Sequence, residues 1–122
     1  MKFALDQNDG GYTISGYETG KIRIRGQVYE HSLLVMANQL QTDWAPANVG
    51  ELTSRHIREI VALQPTLVIL GTGERQMFPD PRVFIPLMDA GIGYEVMDTA
   101  AACRTYNVLL SEGRKALGAF LL

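Results

Sequence analysis

Residues Met97 to Arg114, MDTAAACRTYNVLLSEGR, leave little choice of structure. They follow a strand-like run, Tyr94 to Met97, and open with Asp98 and Thr99, whose side-chain oxygens suit a helix start. The helix then has a period near 3.6. Ala102, Cys103, Tyr106, Leu109 and Leu110 fall on one face, and Arg104, Thr105 and Asn107 on the others. Four small residues, Ala100 to Cys103, allow the first turn to lie close against a sheet. Ser111-Glu112-Gly113 is the stop, with Gly113 able to take a positive φ. A helix from Thr99 to Leu110 is predicted.

The neighbouring segments extend this into an alternation. Thr66-Leu67-Val68-Ile69-Leu70 is a β-branched apolar run ending at Gly71, the pattern of a central parallel strand covered on both faces. A helix is predicted from Pro81 to Ala90, with Asp80 as N-cap, Pro81 in first position and Gly91 at the end. Lys115 to Leu122 is apolar enough for a last strand. Helix, strand, helix, strand, helix implies right-handed crossovers and a largely parallel core sheet with helices on it.

The first part of the chain, Met1 to Trp44, reads as β. Thr13 to Gly16 and Lys21 to Arg25 alternate polar with apolar. Glu18-Thr19-Gly20 makes one turn, and Gly26-Gln27 another before Val28-Tyr29. Ser32 to Met36 is a strand covered on both sides, and Gln39 to Trp44 a further hairpin arm. After the connector Ala45 to Gly50, Thr53 caps a helix with Leu52 and Ile57 in staple positions. Ile57, Ile60, Val61 and Leu63 form its stripe, and Pro65 ends it.

Composition sets the class. A chain of 122 residues, 47% hydrophobic, is one domain that buries roughly two thirds of its unfolded surface. A net charge of -2 argues against non-specific nucleic-acid binding, which needs a basic field. Cys103 is the only cysteine, so there is no internal disulfide and no cysteine-type zinc site. The amino terminus, MKFALDQNDGG, has too short an apolar run for a signal peptide, and no stretch approaches the ~20 apolar residues of a spanning helix. The expectation is a soluble, cytoplasmic protein that does not span a membrane.

Chemistry is sparse. Gly71 to Asp80 is a ten-residue connection, where such loops usually take about 2–6. It leaves the carboxyl end of one strand, and Met97-Asp98-Thr99 leaves the carboxyl end of the next. With parallel strands both turns share the sheet edge where open α/β folds place ligand crevices. Thr99 would offer helix-start amides to a small anion, with Arg75, Arg104 and Arg114 lining the site. The competing reading is structural. Gly71-Thr72-Gly73 lacks the third glycine of a dinucleotide fingerprint and serves a tight turn. Arg104 and Arg114 pair with Glu112 or Asp98, and Thr105 and Asn107 bond neighbouring backbone. His31 and His56 are not at metal-ligand spacing, and His56, in a helix first turn, is expected in solvent. Cys103 reads as a buried, inert thiol. Ser15, Ser32, Ser54 and Ser111 lack a nucleophile-elbow context. No catalytic residue, cofactor or metal ligand can be named. Met77-Phe78 and Trp44, large apolar groups in loops, offer either a contact patch or a lid on the core.

These residues can be compared with a known family. Pro65-Thr66-Leu67-Val68-Ile69-Leu70-Gly71-Thr72-Gly73, then Gly91-Ile92-Gly93-Tyr94-Glu95-Val96-Met97-Asp98-Thr99, then Ala102-Cys103-Arg104-Thr105-Tyr106-Asn107-Val108-Leu109 and Glu112-Gly113-Arg114 resemble one small family in order and spacing. It is a domain of unknown function of bacteria and archaea. It also includes the mitochondrial respiratory complex I assembly factor 3 and a vertebrate adipogenesis-associated Mth938-domain protein. The first half matches mainly in pattern.

The resemblance implies a single Mth938-like α/β domain over residues 1–122, of three layers, β+α/β/α. Its central mixed sheet has five strands with helices on both faces, its last strand, from about Ala116 to Leu121, antiparallel to the rest, beside an N-terminal antiparallel β portion. It implies no known catalytic activity, and for the mitochondrial relatives a role in assembling a membrane-bound complex by protein contact. Without a presequence the chain looks like a bacterial-type member. The family's shared residues fall here on Gly71, Gly73, Asp98, Thr99, Arg104, Thr105, Asn107, Glu112 and Arg114, without assigned roles.

The expected function is that of a non-enzymatic accessory or assembly protein with an unidentified protein partner, a membrane-associated complex among the candidates. The alternative is a binder of a small anion or metabolite, or a cryptic enzyme. It would use the crevice at the ends of strands 66–70 and 94–97, with Gly71, Thr72, Gly73, Arg75, Asp98, Thr99, Arg104, Asn107 and Arg114 as its hypothetical ligand residues.

Overall fold

Alternating burial sorts the strands into two sheets in the computed structural model, which describes residues 11–122. The β reading of residues 1–10 lies outside the described residues. β1 (Ile14–Glu18), β2 (Lys21–Ile24) and β3 (Gln27–Tyr29) form an antiparallel sheet in that order. Ile22 and Ile24 point inward while Lys21 and Arg23 face solvent. The β2–β3 turn is centred one residue earlier than expected, on Arg25 and Gly26, with φ of 52° and 80°. Two positive φ values in a two-residue turn match the twist of a hairpin. They let Gln27 pair with Ile24 directly.

The second sheet contains β4 (Leu33–Met36), β5 (Gln39–Gln41), β6 (Leu67–Thr72), β7 (Gly93–Met97) and β8 (Ala116–Leu121), in the order β5-β4-β8-β6-β7. β6 runs parallel to both neighbours, and β4 runs antiparallel to β8 and β5. The last strand is therefore not the reversed one. β8 is parallel to β6, and β4 lies against it in the opposite sense. Helix α3 (Thr99–Ser111) supplies the reason, because a helical crossover returns the chain to the starting edge before β8 begins. The hairpin β4–β5 makes the sheet mixed.

Side-chain alternation along these strands builds a core on each face. Leu34, Met36, Val68, Leu70, Leu117 and Leu121 pack with Ile57 and Ile60 of α1 (Ser54–Val61) and Leu87 of α2 (Ile85–Asp89). Leu33, Val35, Ile69 and Phe120 meet Ala102, Cys103 and Tyr106 of α3, together with Ile14, Ile22 and Ile24 of the small sheet. The layers are thus small sheet plus α3, central sheet, and α1 with α2.

Local chemistry sets the helix bounds. Asp98 Oδ1 accepts from the Ala101 N–H at 2.8 Å, capping α3, and Gly113 leaves it at φ 76°. Thr53 caps α1, but His56 is not in solvent. It is buried, its Nδ1 accepts from the Thr53 N–H at 3.0 Å, and its ring stands edge-on to Trp44. Histidine here completes the reciprocal cap. The predicted helix from Pro81 to Ala90 divides into a 3-10 turn, Pro81–Phe84, and the short α2. Pro86 has no N–H to offer the Arg82 carbonyl, which is taken instead by the Ile85 N–H in the tighter geometry.

Candidate functional site

β6 and β7 are parallel, with Gly71 beside Met97, so the loop after Thr72 and the start of α3 share one sheet edge. Thr99 is fully buried there. Its Oγ1 donates to the Leu121 carbonyl at 2.7 Å and accepts from the Gly73 N–H at 2.8 Å. Its own N–H donates to the Gly73 carbonyl at 2.9 Å. Gly73 is thereby paired through both backbone groups to one threonine. Gly71 permits the approach: a Cβ on it would lie 2.8 Å from Thr99 Oγ1, 2.9 Å from Thr99 Cα and 3.1 Å from Ala102 Cβ. The small residues at the start of α3 and the glycine of β6 therefore form one tight contact.

Thr72 organises the loop. Its buried hydroxyl donates to the Arg75 carbonyl at 2.5 Å and accepts from the Met77 N–H at 3.1 Å. The Met97 carbonyl lies 3.3 Å from the same oxygen. Gln76 Nε2 donates to the Val96 carbonyl at 3.0 Å and ties the loop to β7. The geometry brings Gly71, Thr72, Gly73, Asp98 and Thr99 together, bonded to each other and to backbone.

The remaining candidates go elsewhere. Arg75, Arg104 and Arg114 are exposed, and none forms an ion pair among the described residues. The expected pairing of Arg104 and Arg114 with Glu112 or Asp98 is thus absent. The single pair there is Arg82 with Asp80, at 2.6 Å on the surface. Arginines at α3 and just after it stand on solvated faces, where holding a long side chain to a partner gains little.

Asn107 works over a long sequence distance. Its Oδ1 accepts from the Ile14 N–H at 2.8 Å and its Nδ2 donates to the Ile14 carbonyl at 2.7 Å, replacing a strand partner for β1. Tyr106 Oη adds a bond to the Tyr12 carbonyl at 2.8 Å. Thr105 Oγ1 donates to Met97 Sδ at 3.3 Å rather than to backbone. Between β1 and α3 runs a groove of about 270 Å³, bordered by Tyr17, Ala100, Cys103, Arg104 and Asn107. Burial pushes the Cys103 thiol up to about 12, against a smaller downward pull from Arg104, so thiolate is scarce at neutral pH.

The apolar loop residues separate. Trp44 is buried in the core at 2% exposure, so it is not a surface group. Met77 and Phe78 do not fold down as a lid: they are 53% and 74% exposed, although the loop carrying them is held by Thr72 and Gln76. Ile85 and Met88, three apart on α2, are also exposed. Sequence reasoning passed over these two residues and Gln76. The helical spacing of Ile85 and Met88 was a usable signal, whereas nothing local marks the glutamine. Among the described residues no three His, Cys, Asp or Glu side chains gather as a metal cluster, and no helix is long and apolar enough to cross a membrane.

Comparison with known proteins agrees with this architecture. The solution structure of a Bordetella pertussis protein, described as a Mth938-like domain, superposes with a TM-score of 0.83 at 26% identity, covering 99% of this chain and 92% of that one. A protein of Francisella tularensis named 13 kDa major membrane protein is 29% identical over 99 residues, 80% of each chain. From Bos taurus, NADH dehydrogenase (ubiquinone) 1 alpha subcomplex assembly factor 3 is 34% identical over 78 residues. That match covers 62% of this chain and 42% of the bovine protein, so the chain spans less than half of that relative. The family described as protein of unknown function (DUF498/DUF598) matches residues 14–121, from the first strand of the small sheet to the end of β8. The chain belongs to that family.

Proposed function

We propose that the chain is a non-enzymatic accessory or assembly protein that acts by protein contact, with its docking surface on Met77 and Phe78. One observation carries the reading: these side chains stand in solvent on a loop whose backbone is already fixed by Thr72 and Gln76. A large apolar group held in place in water loses little conformational freedom when a partner covers it, which favours association. Relatives named as an assembly factor and as a membrane protein support the same direction. On this reading the partner belongs to a membrane-associated complex and the chain meets it from the cytoplasm.

The small-anion or metabolite reading ranks second. Asp98 caps the first turn of α3 and Thr99 bonds to Gly73, so the Thr99, Ala101 and Ala102 amides are engaged within the fold. Arg104 beside the β1–α3 groove is the one observation on its side. The test is photocrosslinking in cells, with p-benzoylphenylalanine at position 78 and, as a control, at the exposed position 27 of β3. A discrete protein adduct at 78 and not at 27 is expected. Equal labelling at both positions, or none at 78, would remove the loop as the contact.

A further inference from the structure

Among the described residues the central sheet ends at β7, which has β6 on one side and no strand on the other. Backbone groups alternate in direction along a strand. The Met97 carbonyl lies on the β6 side, near Thr72 Oγ1, so the N–H and C=O of Tyr94 and Val96 turn outward. Gln76 takes the Val96 carbonyl from that outer side. It sits where a further strand would donate, and the residues after it are Met77 and Phe78. The open edge and the exposed apolar loop are therefore parts of one surface.

We infer that this edge receives an extended segment of a partner protein as a sixth strand. The segment displaces the Gln76 side chain from the Val96 carbonyl, seats an apolar side chain against Phe78, and places a basic residue opposite Glu95. The inference rests on the protein-contact reading of the loop. Main-chain pairing gives such additions affinity, and side chains at alternate positions give specificity. Glu95 is exposed in the middle of β7. It also weighs against a second copy of this chain in the register that uses both outward residues. In an antiparallel β7–β7 pair that places Tyr94 opposite Val96, Glu95 would stand opposite Glu95, and like charges directly opposite are destabilising.

The experiment is selection of a displayed random 12-residue peptide library on the full chain, followed by NMR titration of the recovered peptides. Expected are peptides that alternate apolar residues with Lys or Arg and shift the Tyr94 and Val96 amides. Glu95→Lys, an exposed substitution, should weaken them about fivefold and turn a fresh selection toward acidic peptides. Phe78→Ala should weaken them roughly tenfold. Peptides that depend on Phe78 but ignore Glu95→Lys and leave the β7 amides unmoved would overturn the strand addition while sparing the protein-contact reading. So would peptides with helical apolar spacing. A dimer of the chain itself that moves the β7 amides would overturn the choice of occupant. Recovery of no binder sensitive to either substitution would overturn both readings.

Discussion

A short length of chain separates Thr72 from Phe78, and the two residues meet water in opposite ways. Around Thr72, Gly73 and Thr99 the polar groups are buried and bonded to one another. At Met77 and Phe78 large apolar groups stand in solvent. The polar, glycine-rich stretch looks like a binding site in sequence because such residues often hold ligands. Here it performs closure: it fastens the end of β6 to the start of α3 and to β8. The apolar loop reads in sequence as either a contact patch or a lid on the core, and among the described residues nothing covers it. Polarity in a sequence does not by itself mark the side that faces other molecules.

Thr99→Val tests the closed side most severely. It leaves the half-buried Gly73 N–H and the buried Leu121 carbonyl without the hydroxyl between them, an expected loss of roughly 2–4 kcal/mol read by urea denaturation. A change below about 0.5 kcal/mol would mean that water serves those groups equally well, and the site would reopen as a candidate crevice. Gly71→Ala follows, at about 1–3 kcal/mol, because the added methyl meets Oγ1 and Cα of the buried, hydrogen-bonded Thr99 rather than the free end of a flexible side chain. Adding Thr99→Ser to Gly71→Ala should recover little of that loss, because serine keeps the Oγ and the Cα that the new methyl meets.

The surface pair of Asp80 and Arg82 should contribute less, and its pH dependence has a defined sign. Hydrogen bonds from Arg82 lower the Asp80 carboxyl from 3.8 to about 2. A depressed carboxyl contributes stability above its unfolded value that is lost as pH falls through the folded one. The difference in melting temperature between the natural chain and Asp80→Asn should therefore shrink as pH falls from about 4 to about 2. A constant difference across that range would sink the assignment. Phe78→Ser gives the smallest stability effect, within about 0.5 kcal/mol of zero. A partner adduct formed from p-benzoylphenylalanine at the neighbouring exposed position 77 should nevertheless disappear in this variant. A large loss of stability would place Phe78 in the fold and erase the contrast with Thr72.

By itself the sequence determined the elements whose causes are local. The start of α3 at Asp98, its stop before Gly113, the Thr53 cap and the strand β8 follow from oxygens, glycines and apolar runs within a few residues. The Mth938-like layering was legible too, through ordered motifs over the second half of the chain. Tertiary structure decided what depends on distant partners. The direction of β8 relative to β4 emerged only when α3 had laid the chain back across the sheet. Asn107 found its backbone partner at Ile14, far away in sequence, and His56 was buried by Trp44. Likewise, Trp44 and Phe78 are both aromatic residues in loops, and neither one's surroundings in sequence say which is covered. Burial is a property of what the rest of the chain brings near, so which aromatic group stays in solvent was decided only when the core had been assembled.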